Sequence, residues 1–157
     1  MPEFAASLRA VVSHVEPVRA VVGHSLGGTA TIFALSRGLR AECAVIIASP
    51  SDMPSWAHRF RDMMGLTPGV YSRMQRNMER RLRLTWQDLA IPVAARLLEI
   101  PGLVIHDVHD PDVPWTEGEA IALAWRDAAL LTTQGLGHRA ILRDPEVIKR
   151  VVAFVMP

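Results

Sequence analysis

The chain has 157 residues, half of them hydrophobic, enough to bury one core of ordinary size, so a single domain over 1–157 is expected. Its 17 Lys and Arg nearly balance 16 Asp and Glu, so no net field argues for a nucleic acid or a membrane as partner. Cys43 is the only cysteine, which excludes an internal disulfide, and no run approaches the roughly 18 apolar residues of a membrane span.

Phe4, Leu8, Val11, Val12 and Val15 recur at helical spacing until Pro17, which predicts an amphipathic helix over residues 3 to 14. Glu3, Arg9, His14 and Glu16 interrupt the segment, so it lacks the apolar core of a signal peptide; with the lone thiol, this gives the cytoplasm as the expected location. Val18 to Val22 reads as a short strand running into Gly23-His24-Ser25, and Leu26 to Ser36 as a helix stopped at Gly38. Cys43 to Ala48 reads as a second, buried strand, with Cys43 packed rather than reactive.

From Ser51 to about Ile91 the character changes to Met, Arg and Trp at helical spacing, broken by Gly65, Pro68 and Gly69; this predicts an insert of two or three helices. The arginines between Arg59 and Arg83 read as a solvated helix face. Met53, Met63, Met64, Met74 and Met78, with Trp56, suit either an adaptable apolar pocket or plain core. Leu103 to Ile105 is a third strand, Trp115 to Arg126 a helix, Ala129 to Thr133 a fourth strand and Gly135 to His138 a loop. Asp144 and Pro145 cap and open a final helix that turns Val147, Ile148, Val151, Val152 and Phe154 to the core. Continuously apolar strands alternating with helices give an α/β fold, a parallel sheet with helices on both faces.

Gly23-His24-Ser25-Leu26-Gly27 matches GxSxG between a strand and a helix, the context in which a strained turn projects a nucleophilic serine. Small residues are needed around such a turn, and Gly23, Gly27 and Gly28 provide them. The helix behind would aim its positive end at a developing oxyanion, with the Leu26 N–H as one donor. A serine needs a base. Of six histidines, His138 stands in a glycine-flanked loop at the carboxyl end of a strand, on the rim expected for Ser25, whereas His24 is expected to turn away from the serine. Asp107, Asp110 and Asp112 follow the third strand as candidate acids to orient the base. This His and Asp cluster could also be read as a metal site, but Val108, Pro111, Val113 and Pro114 keep it from presenting ligands on one face, and no metal is expected.

These segments, GHSLGG at 23 to 28, LVIHDVHDPDVPW at 103 to 115 and LTTQGLGHRAILRDPEVIKRVVAFV at 131 to 155, resemble the carboxyl half of α/β-hydrolase-fold proteins. The resemblance implies a half-size member of that superfamily, with residues 51 to 91 as a helical lid and the four strands as the family's fifth to eighth. The family's D-x-x-V-P pattern falls on Asp110, and its histidine on His138. It further implies hydrolysis of a small-molecule carboxylic ester or thioester through an acyl-enzyme, with no cofactor. A C–C hydrolase or a cofactor-free haloperoxidase would share the triad. Four earlier strands of the family, and an HG loop that gives a second oxyanion N–H, have no counterpart here. The strand near Val18 to Val22 is therefore expected as an open edge that pairs in a homodimer. The alternative is a truncated, non-catalytic binding or assembly module.

Overall fold

A computed structural model describes residues 2–15 and 17–156, apart from the side chain of Met53. The chain separates into two compact units, Met1–Ser51 with Ile91–Pro157, and Asp52–Ala90.

The first unit holds a four-stranded, wholly parallel sheet in sequence order: β1 (Ala20–His24), β2 (Cys43–Ile47), β3 (Gly102–Asp107) and β4 (Ala128–Thr133). Every residue of β2 and β3 is buried, which is why β2 and Leu103 to Ile105 of β3 read as apolar runs rather than alternating ones; His106 and Asp107, at the end of β3, are buried polar residues. Side-chain alternation then decides what each face meets. Val45, Ile47, Leu103 and Ile105 pack against Ile141 and against Val147, Val151, Phe154 and Val155 of the last helix (Pro145–Val155). The opposite face carries the helix Leu26–Leu35 on β1 and β2 and the helix Trp115–Ala124 on β3 and β4. The amino-terminal helix (Pro2–Val15) and the short helix Ile91–Ala95 both pack on Leu26–Leu35. In chain order the helices of this unit are α1 (Pro2–Val15), α2 (Leu26–Leu35), α5 (Ile91–Ala95), α6 (Trp115–Ala124), α7 (Gly137–Ala140) and α8 (Pro145–Val155).

α2 can lie this close to the sheet because Gly23 and Gly28 meet without side chains. A Cβ on Gly23 would sit 2.6 Å from the Gly28 Cα, and one on Gly28 would run into Ser49 Oγ and stand 2.9 Å from Ile46 Cγ2. Strand β1 begins two residues later than the apolar run suggests. The Val18 and Arg19 carbonyls are occupied by the N–H groups of Glu42 and Cys43, and the strand then continues through His24, which pairs with Ile47. Cys43 is buried at the start of β2, and burial raises its thiol pKa, which disfavours the thiolate.

The second unit contains α3 (Met53–Met63), α4 (Pro68–Leu82) and a 3-10 turn at Gln87–Leu89. Asp52 caps α3 by accepting from Ser55 N at 3.2 Å, and Thr67 caps α4 by accepting from Val70 N at 3.4 Å, each followed by a proline in the first turn. An antiparallel bridge between Asp52 and Ala90 joins its two ends. Arg73, Arg76 and Arg80 are exposed and spaced to share one face of α4, and Arg83, just past its end, is exposed too.

Candidate active site

β1 delivers His24 and Ser25 straight into α2. Ser25 has φ 52 and ψ −130, a conformation that side chains rarely adopt, and it is held there by donating its N–H to Ile47 O at 2.9 Å. Its own carbonyl accepts from Gly28 N at 3.0 Å. The serine side chain makes no capping hydrogen bond to α2, so the turn leaves the hydroxyl available. Leu26 is the first residue of α2, where N–H groups have no intrahelical acceptor and the helix dipole is positive. Ala48, at the end of the neighbouring strand, has φ 50, a second strained residue beside the serine turn.

The three candidate acids have three different partners. Asp110 is buried, and its Oδ2 accepts from His138 Nδ1 at 2.8 Å. Its Oδ1 accepts from the N–H groups of Asp112 and Val113, both at 2.8 Å, so a tight turn fixes the carboxylate before the histidine arrives. Asp112 instead reaches Arg139 at 3.1 Å on the surface. Asp107 is fully buried and ties two loops together: it accepts from Thr133 Oγ1 (2.8 Å), Leu136 N (2.9 Å) and His109 N (2.9 Å). Burial pushes its pKa up, but these hydrogen bonds, with one from Gly137 N, outweigh burial and bring it down to about 2.

His138 is 8% exposed and stands in the first turn of α7, not in a plain loop as expected. Gly135 and Gly137, at φ 82 and 62, supply the positive-φ corners that let the chain turn from β4 into that short helix. With Nδ1–H given to Asp110, the Nε2 lone pair is the basic position. His24 does more than sequence reading assigned to it. Its Nε2–H donates to the His138 carbonyl at 2.9 Å, and the two rings lie 4.7 Å apart, so the serine turn and the histidine loop are stitched together. No hydrogen bond joins Ser25 and His138 among the described residues; the acid–histidine pair is formed, and the serine follows His24 in the turn that is tied to the histidine loop. Two residues were given no catalytic or structural role from the sequence. Glu117 of α6, buried, accepts from both N and Oγ of Ser51 at 2.7 Å, and His106 of β3 is buried within reach of Asp110. Glu117 lies in no motif, and His106, although inside the 103 to 115 segment, carries no signal beyond an imidazole at the end of an apolar run.

No family model and no curated protein matches the sequence. Solved structures do match in shape. MGS-MChE2, an α/β-hydrolase enzyme from a lagoon-sediment metagenome, is 18% identical with a TM-score of 0.67, over 97% of this chain and 67% of its own. This chain has the α/β-hydrolase fold. A bromoperoxidase from Bacillus anthracis (14% identical, TM-score 0.68, 97% of this chain and 72% of that one) and the esterase RhEst1 from Rhodococcus sp. (18%, 0.65, 97% and 70%) share it. The α/β-hydrolase core here is thus shorter than these relatives, with its matched part spanning nearly all of the chain.

Proposed function

We propose that the protein is a serine hydrolase that cleaves carboxylic esters or thioesters through an acyl-enzyme. The observation that carries this reading is the buried Asp110–His138 pair at 2.8 Å, stitched through His24 to a serine held at positive φ. In the proposed reaction His138 Nε2 takes the Ser25 proton as Oγ attacks the substrate carbonyl carbon. The Leu26 N–H and the α2 dipole receive the oxyanion, and the imidazolium then passes its proton to the departing alkoxide or thiolate. Asp110 keeps the proton on Nδ1 and stabilises the imidazolium. A water activated by the same Nε2 releases the acid. The Ser25 to His138 contact closes when substrate binds, as such contacts tighten in the Michaelis complex.

A fluorophosphonate probe and a series of p-nitrophenyl esters of increasing acyl length test this together. Ser25 should be labelled and esters turned over; Ser25→Ala should lose both, and His138→Ala should fall on the order of a thousandfold or more in turnover. The absent Ser25–His138 hydrogen bond favours one other reading, a binding module that keeps the fold without turnover. Unlabelled wild-type Ser25 would decide for that module.

A further inference from the structure

His106 is a buried histidine that the reaction above does not use. It occupies β3 and turns toward α6, where its ring packs so closely on Gly118 that a Cβ there would overlap Nδ1 and stand 2.9 Å from His106 Cβ. The residue is wholly buried, and Nδ1 has no hydrogen-bond partner. Both acceptors within reach lie at the other nitrogen: the Val113 carbonyl at 3.0 Å and Asp110 Oδ2 at 3.5 Å from Nε2. The proton therefore belongs on Nε2, where it is donated to the Val113 carbonyl, and the positive end of that N–H dipole lies 3.5 Å from the carboxylate oxygen that also binds His138. Charged and titratable groups face His106 from each side: Asp110 from the acid turn, His138 from α7 and Glu117 from α6. Burial outweighs the Val113 carbonyl and the two carboxylates in lowering the affinity of His106 for a second proton.

We infer that His106 is a positioning residue for His138: its neutral Nε2–H holds the carbonyl of Val113, whose own N–H grips Asp110 Oδ1, and its N–H dipole beside Asp110 Oδ2 tempers the charge that His138 feels. This rests on the serine-hydrolase reading for its catalytic consequence but not for its geometry. Without the His106 N–H dipole beside it, Asp110 Oδ2 presents more negative charge to His138, so losing that group should make His138 easier to protonate. A role limited to filling space would leave that proton affinity where it is.

The test is an NMR titration of the histidine ring signals of the whole protein, which needs no turnover. His106→Phe should raise the His138 midpoint by about half a pH unit, less than the loss of a full hydrogen bond to Asp110 would give. His106→Gln, whose amide nitrogen replaces Nε2, should restore it. An unchanged midpoint in a folded His106→Phe protein overturns the inference. Should that variant not fold, the wild-type ¹⁵N ring shifts decide: a neutral Nε2–H form at pH 7 supports the inference, and an Nδ1–H or doubly protonated form overturns it. Fluorophosphonate labelling of the same wild-type sample reads the hydrolase proposal separately, so either idea fails alone. Where labelling succeeds, the acidic limb of the ester pH–rate profile should move upward in parallel with the midpoint.

Discussion

Asp107 stands at the end of β3, where the Thr133 hydroxyl and the N–H groups of Leu136 and His109 converge on one carboxylate. The same residue thus fixes the turn that carries Asp110 and the loop that carries His138. With a folded-state pKa of about 2 against an ordinary 3.8, the native state binds its proton less readily than the unfolded chain. Stability from this group is therefore complete above about pH 4 and drains away as pH falls towards 2, a contribution on the order of 1 to 2 kcal/mol. Asp107→Asn should lower the unfolding free energy by that amount at pH 7. Urea melts over a pH series should show the gap from wild type closing between pH 4 and 2. A gap that keeps its size across that range would mean that charge at this position does not matter.

At the level of elements, the contact between α2 and β1 depends on two glycines. A methyl group at residue 28 meets Ser49 Oγ, stands 2.9 Å from Ile46 Cγ2 and 3.1 Å from the Gly23 carbonyl, a backbone atom that cannot swing aside. Gly28→Ala should therefore cost roughly 1 to 3 kcal/mol, with thermal unfolding as the measure, and should disturb Ser25, whose carbonyl the Gly28 N–H holds. An alanine variant as stable as wild type would show that α2 can lift away.

The glycines and the elements they serve were legible in the sequence because the constraint is local: a strand, a tight turn and a helix occupy adjacent residues. The buried strands were legible too, since β2 and the first four residues of β3 are covered on both faces and carry no polar position to confuse the period. Asp110 needed the family pattern, because three aspartates within six residues differ only in which distant group each one finds. His24 and His106 lay beyond reach for the same reason: their partners, the His138 carbonyl and Asp110 Oδ2, are set by how loops meet across the rim and leave no mark in spacing. α7 was missed because four residues give too short a run for any helical period to show.

For the whole molecule, the open side of the sheet is the feature that the fold leaves unresolved. Among the described residues β1 pairs only with β2, so alternate N–H and C=O groups of Ala20–His24 point outward. Val22 beside them is 53% exposed, and Phe4, Val11 and Val15 of α1 are each more than half exposed. Edge strands in stable proteins are commonly guarded by lysine, proline or a bulge. Here the sequence AVVGH has neither lysine nor proline. The nearly balanced charge of the chain raises little repulsion between copies. We propose that two chains meet along β1 about a twofold axis, which runs the paired strands antiparallel and gives each edge the partner it lacks. Light scattering after size exclusion should then return twice 17.3 kDa and hold that mass on dilution. Val22→Lys, which places a charge on the exposed edge, should return it to 17.3 kDa without unfolding it. A wild-type mass of one chain at every concentration would leave β1 as a bare edge and remove the dimer.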